Sequence, residues 1–152
     1  MTKKPILGMA CDHGGANLKN HLKEWLTKQG YTIIDFGTDD PNTSVDYALY
    51  AHRLAKAIEN GEVEKGIAIC GSGNGISMTL NKHRSIRAAL CWNPEIAALA
   101  TRHNNANVCS MPGRFISFEE GEAITTAYLN NSFEGGRHQR RIDLMGDLNA
   151  TC

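Results

Sequence analysis

Gly66-Ile67-Ala68-Ile69-Cys70 runs directly into Gly71-Ser72-Gly73-Asn74-Gly75 and then into Ile76-Ser77-Met78-Thr79-Leu80. A short apolar run, a glycine-rich turn and a segment with helical spacing read as strand, loop and helix. The same alternation recurs on both sides. Strands are predicted at Ile6–Cys11, Thr32–Phe36, Gly66–Cys70, Arg87–Cys91 and Asn107–Met111, and helices near Ala16–Gln29, Val45–Asn60, Gly75–Lys82, Pro94–His103 and Ser117–Asn130. Ser44 or Asp46 can start the second helix, Gly30 and Gly61 follow helix ends, and Pro94 suits a first helical turn.

Strands alternating with helices predict an α/β fold, a Rossmann-like three-layer sandwich whose five-stranded parallel sheet has order 2-1-3-4-5 and helices on both faces. An extra C-terminal helix is expected within Glu134–Leu148, where Ile142, Leu144, Met145 and Leu148 suit cover for a neighbouring molecule rather than the chain's own sheet. With 152 residues, no internal repeat and no linker-like stretch, residues 1–152 read as one domain.

Sixteen basic side chains balance 16 acidic ones, which argues against a general nucleic-acid or membrane-surface binder but leaves room for a local anion site. No apolar stretch approaches the length of a membrane span, and Met1-Thr2-Lys3-Lys4-Pro5 leads too quickly into a strand for a signal peptide. The five cysteines, at 11, 70, 91, 109 and 152, are odd in number and lack Cys-x-x-Cys spacing, so reduced thiols and a cytoplasmic location are expected. Cys11, Cys91 and Cys109 fall near strand ends as small apolar packing residues.

Cys70 differs from these three because a glycine-rich turn comes directly after it. In an open parallel sheet the ligand lies beyond the carboxyl ends of the strands, where neighbouring connections diverge. Adjacent first and third strands would bring Asp12 and His13 toward Cys70. A thiol beside backbone N–H groups supports two kinds of chemistry. In one, Cys70 attacks an acyl carbon with His13 or His103 as its base and the Gly71–Gly75 amides hold the oxyanion. In the other, a Cys70 thiolate removes a proton from carbon next to a carbonyl, and the same amides stabilise the enediolate.

The tail bears on that choice. Phe133-Glu134-Gly135-Gly136-Arg137-His138-Gln139-Arg140-Arg141 places Arg137 and Arg141 four residues apart on one helix face, where two guanidinium forks suit a phosphate. Arg140 points elsewhere. In Arg102-His103-Asn104-Asn105, polar-flanked His103 is available for proton transfer and Asn104 for a sugar hydroxyl. His21, His52 and His83 read as helix-surface residues without partners of this kind. Neither a Walker sequence nor a dinucleotide fingerprint is present, since Gly71-x-Gly73-x-Gly75 lacks the third-glycine spacing and comes after the third strand. Metal-ligand spacing is also absent around Asp12 and His13.

Four stretches in order, Cys11-Asp12-His13-Gly14-Gly15, Ile69-Cys70-Gly71-Ser72-Gly73-Asn74-Gly75-Ile76, Arg102-His103-Asn104 and Glu134-Gly135-Gly136-Arg137-His138, resemble the ribose-5-phosphate isomerase B family over nearly the whole chain. That wider sugar-phosphate isomerase group includes galactose-6-phosphate isomerase subunits. The resemblance implies an aldose–ketose isomerase interconverting ribose 5-phosphate and ribulose 5-phosphate, with no metal or organic cofactor. It makes Cys70 the base, His103 the acid that opens the furanose ring, and Asp12 a participant at the anomeric hydroxyl. It assigns enediolate stabilisation to the amides of Gly71, Ser72, Gly73, Asn74 and Gly75, with Ser72 also orienting substrate. His13, Arg114, Arg137 and Arg141 match phosphate positions, Asn104 a substrate contact and Tyr47 an active-site tyrosine.

One subtype of the family places a glutamate just after the glycine-rich loop; Ile76 stands there, so the chain resembles the cysteine subtype. The resemblance also implies a homodimer or a dimer of dimers whose sites draw on both subunits. Other sugar phosphates (allose or galactose 6-phosphate, or a shorter sugar), a non-catalytic sugar-phosphate sensor and a subunit of a hetero-oligomer stand as alternatives.

Overall fold

The computed structural model describes residues 3–152. Met1 and Thr2, which begin the stretch considered for a signal peptide, lie outside the described residues. Eleven elements alternate as expected: β1 (Leu7–Cys11), α1 (Ala16–Lys28), β2 (Ile33–Asp35), α2 (Tyr47–Glu59), β3 (Lys65–Cys70), α3 (Asn74–Leu80), β4 (Ala88–Leu90), α4 (Pro94–Asn104), β5 (Val108–Pro112), α5 (Phe118–Leu129) and α6 (Arg137–Met145). Their ends differ from the predicted ones by one to three residues in most cases. The tail departs furthest, because Gly135 and Gly136 take positive φ of 69° and 58° and hold Glu134 outside the helix.

All strands pair in parallel, in the order β2-β1-β3-β5-β4. The expected order 2-1-3-4-5 is therefore corrected at its last two positions. The cause is burial: Val108, Cys109, Ser110 and Met111 of β5 are shielded on both faces, while β4 is three half-buried residues. A strand buried on both faces belongs inside a parallel sheet, and a short one suits an edge. The chain passes from β3 to the edge at β4 and returns through α4 to fill the gap.

Right-handed crossovers then dictate which face each helix covers. Connections running leftward along the sheet, through α1 and α4, lie on one face with α5; those running rightward, through α2 and α3, lie on the other. Two apolar clusters result. One joins Leu7, Met9, Ile67, Ile69, Cys109 and Met111 to α1, α4 and α5. The other joins Ala10, Ala68, Cys70 and Val108 to Leu54, Ile76 and Leu80. Lys19, fully buried on α1, is paired at 2.6 Å with Asp35 and contacts Asp39, tying α1 to β2 and the loop beyond it. α6 packs chiefly on α4 and leaves Leu144 and Met145, with Leu148 beyond it, exposed. No helix among the described residues is long and apolar enough to cross a membrane.

Candidate active site

At the carboxyl edge of the sheet, Asp12, Tyr47, Cys70, Gly71, Ser72, Gly75, Arg114 and Phe115 line an open cleft of ≈ 460 Å³. Cys70 ends β3 and is 4% exposed, so its thiol is shielded by the fold yet faces the cleft. Asp12 directly follows β1 one strand over, and its Oδ1 accepts the Gly14 N–H at 2.9 Å, which fixes the carboxylate. The two turns touch: a Cβ on Gly15 would stand 2.2 Å from the Ile69 carbonyl oxygen, so only glycine lets the β1–α1 turn lie against β3.

The glycine-rich turn is shaped by its neighbours. Gly73 has φ of +78°, and a Cβ there would meet Leu90 at 2.4 Å and the Met111 backbone at 3.0 Å. Ser72 Oγ accepts the Asn74 N–H at 3.2 Å, closing the turn into α3. Among the described residues, the N–H groups of Gly71, Ser72 and Gly73 donate to no backbone carbonyl. Tyr47, first residue of α2, lays its ring against Gly75, and Arg114 stretches over Gly71. The strand order explains Arg114: with β5 beside β3, Gly113 N–H donates to the Cys70 carbonyl at 2.9 Å and Arg114 N–H to the Gly71 carbonyl at 3.1 Å. Phe115, which no sequence signal marked, comes next as the cleft's exposed apolar wall.

His13 lies beside this cleft rather than in its lining. Its Nδ1 accepts the Val45 N–H at 3.2 Å, which leaves Nε2 free. Gly73 and Asn74 support the turn without lining the cleft.

His103, Asn104, Arg137 and Arg141 are elsewhere. α4 leaves the carboxyl edge after β4 and delivers His103 to the amino edge before β5; there the Asn104 and Asn105 carbonyls accept from Arg87, just ahead of β4. Cys70 sits at the opposite end of β3, six residues and about 17 Å of strand away. Within one chain the expected acid and the expected base do not meet.

At that amino edge the His103 and His138 rings stack with centroids 4.2 Å apart and 12° between planes. Glu134 faces both, and Arg102 Nε donates to it at 2.6 Å. That hydrogen bond holds the Glu134 carboxyl below the usual carboxylate range. Burial, reinforced by the charges of His103 and Arg137, pushes His138 below its ordinary value. Ligand-type atoms of His103, Glu134 and His138 lie within 4.8 Å of one another. Near-parallel rings, however, do not aim their lone pairs at one point, and an ion would need one ring to turn. A larger, mostly apolar depression of ≈ 1060 Å³ lies beside this edge, lined by Ile86, Ile142, Met145 and Leu148 among others. It holds neither thiol nor carboxylate.

The remaining histidines are better partnered than the sequence predicts. His52 and His83 hydrogen-bond at 2.7 Å, with Glu59 on the far side of His83 at 2.9 Å, and His21 pairs with Glu122 while stacking on Phe118. Cys11, Cys91 and Cys109 are fully buried, as packing residues should be; burial pushes the Cys11 thiol up to about 12.

A parallel sheet with a thiol, a fixed carboxylate and free loop amides converging at its switch point is the setting of an enzyme acting on a small polar substrate, and comparison with known proteins makes the class specific: an aldose–ketose isomerase. A Ribose/Galactose Isomerase family model matches residues 7–145. The chain is 40% identical over 137 residues to ribose-5-phosphate isomerase B of Escherichia coli, covering 90% of this chain and 91% of that one. It is 33% identical over 140 residues to D-erythrulose-4-phosphate isomerase of Pectobacterium atrosepticum, covering 92% of each. Among solved structures it is similar to ribose-5-phosphate isomerase B of Mycoplasma genitalium with bound ribulose-5-phosphate, at TM-score 0.87 and 38% identity over 93% of each chain. The chain belongs to the ribose/galactose isomerase family, and it is a sugar-phosphate isomerase.

Proposed function

We propose that the enzyme interconverts D-ribose 5-phosphate and D-ribulose 5-phosphate through an enediolate, with Cys70 as the base. The observation that carries this reading is a thiol lining a cleft together with Gly71, Ser72 and Gly75 of the glycine-rich turn, with Arg114 lying over Gly71. His103 protonates the ring oxygen as the bond from carbon 1 to that oxygen breaks, while Asp12 takes the proton of the anomeric hydroxyl and the aldehyde forms. The Cys70 thiolate then removes the proton from carbon 2 and returns it to carbon 1, while the carbon-2 hydroxyl gives up its proton and the carbon-1 oxygen gains one, which leaves the ketone at carbon 2. The turn from Gly71 to Gly75 faces the oxygens on which charge develops, and Ser72 and Tyr47 orient the chain of the sugar.

Because Cys70 and His103 occupy opposite edges of one sheet, the working site needs a second copy of this chain. That copy supplies His103, Asn104, Arg137 and Arg141, and Arg137 and Arg141 join Arg114 and His13 in holding the phosphate. The exposed Leu144, Met145, Trp92 and Phe115 give the copies apolar surface to bury. The homodimer, or a dimer of dimers, works in the cytoplasm in pentose phosphate metabolism. The Pectobacterium relative's name supports a second reading, a shorter sugar phosphate with the same chemistry.

The test is deuterium incorporation and product formation from ribose 5-phosphate in deuterated water, run beside other phosphorylated sugars. Loss of a general base typically costs about 10² to 10⁴ in rate, so Cys70→Ala is expected to lose that much turnover while binding substrate. Wild-type protein that neither exchanges nor isomerises any of these sugars, or an active Cys70→Ala variant, would overturn the assignment.

A further inference from the structure

Two side chains to which the proposed reaction gives no role, Glu134 and His138, close around His103. Glu134 Oε1 stands 3.7 Å from His103 Nε2 and 3.8 Å from His138 Nε2, while Oε2 is fixed by Arg102. The Glu134 backbone N–H also donates to the Arg102 carbonyl at 3.0 Å, so this residue is tied to α4 at both ends. His138 is 5% exposed, and its Nε2 has no hydrogen-bond partner among the described residues. A buried imidazole nitrogen left unpaired costs stability, and native proteins seldom keep one without a use.

Positive charge gathers at this cluster: Arg102 on α4 binds Glu134, and Arg137 and Arg141 on α6 act on the stacked His138. Positive neighbours disfavour an imidazolium, which is the form a ring-opening acid must have. Glu134 supplies the opposing charge and stays ionised through Arg102. Its distance matters as much as its sign. At 3.7 Å the carboxylate attracts the charge without accepting a hydrogen bond, so the proton remains deliverable to substrate. Burial disfavours the charged form of His138, and its ring presents a flat surface to the His103 ring.

We propose that Glu134 and His138 are positioning residues for His103: the carboxylate sustains its positive charge among the arginines, and the stacked ring fixes the plane in which its proton is delivered. The proposal rests on the reading of His103 as the ring-opening acid. It separates ring opening, which needs His103, from carbon–proton exchange, which needs Cys70.

The experiment compares two assays on the full-length enzyme. Turnover of ribose 5-phosphate includes ring opening; solvent-deuterium exchange at carbon 1 of ribulose 5-phosphate, an open-chain ketose, does not. A charge pair at this distance in a partly screened site is worth on the order of tenfold, so Glu134→Gln is expected to lower ribose 5-phosphate kcat about tenfold. Its alkaline limb is expected at lower pH, with exchange from ribulose 5-phosphate little changed. Glu134→Asp restores the charge and part of the rate; His138→Phe retains the stack and His138→Ala does not, with the same selective loss. Equal losses in both assays, or an unmoved alkaline limb in Glu134→Gln, would overturn the proposal. A His103→Asn variant that still isomerises ribose 5-phosphate would instead remove the acid assignment on which it rests.

Discussion

The Gly113 N–H donates to the Cys70 carbonyl at 2.9 Å, fastening the turn after β5 to the residue at the end of β3. This bond exists because β5, rather than β4, lies beside β3, and it places Arg114 over the glycine-rich turn. Half of the proposed site is thereby built by one edge of one sheet. The other half, from His103 to Arg141, is built at the opposite edge, which motivates the first prediction.

Cys70→Ala and His103→Asn enzymes are each expected to be inactive on ribose 5-phosphate. Mixed and allowed to exchange subunits, they regenerate one intact site per hetero-dimer, up to about a quarter of wild-type activity if association is random. Steady-state rates before and after exchange measure this, and a mixture that stays silent while exchange is shown to occur would place both residues in one subunit's site.

Gly73→Ala is expected to lower both melting temperature and kcat. A left-handed non-glycine residue costs roughly 1–2 kcal/mol, and the added methyl also presses on Leu90 and the Met111 backbone. Thermal unfolding together with kcat reads the two effects. A variant as stable and as fast as wild type would show that the turn relaxes freely.

Thiol labelling should track burial and ionisation. Cys11, pushed up to about 12, and the buried Cys91 and Cys109 are expected to resist alkylation in the native state, while Cys152 reacts at once. Cys70 faces the cleft, so its labelling is expected to slow when ribose 5-phosphate is bound. Peptide mass spectrometry after timed alkylation distinguishes the five sites.

The segment from Glu134 to His138 should loosen in acid. His138 titrates lower in the folded protein than its ordinary 6.5, so the unfolded chain binds more protons in that window and stability falls as pH drops through it. Glu134, also held low, has the same sign near and below 4.5. Hydrogen exchange of residues 133–141, corrected for intrinsic rates, is expected to show protection at pH 7.5 that declines by pH 5 and again by pH 4. Flat protection over that range would mean the cluster contributes nothing to docking α6.

Much of this was readable from local pattern. The alternation of apolar runs with helical spacing located all five strands, and Cys70 before five residues containing three glycines marked the strand-end turn. Asp12 reached the same cleft because β1 and β3 are adjacent, which the common order of such sheets predicts. The order of β4 and β5 was not readable, since Arg87–Cys91 and Asn107–Met111 have similar composition and only burial on both faces separates an inner strand from an edge. Phe115, the partners of His52 and His83, and the stacking of His138 on His103 were likewise hidden, because each contact joins segments distant in sequence.

The amino-acid sequence by itself determined the strand–helix alternation, the glycine turn behind a thiol and the arginine pair at helical spacing, for these depend on residues within a turn or two of each other. Tertiary structure alone decided that β5 lies inside the sheet beside β3, that Arg114 lies over Gly71, and that Cys70 and His103 lie at opposite edges. Those outcomes depend on which surfaces exclude water together and on the single handedness of the crossovers.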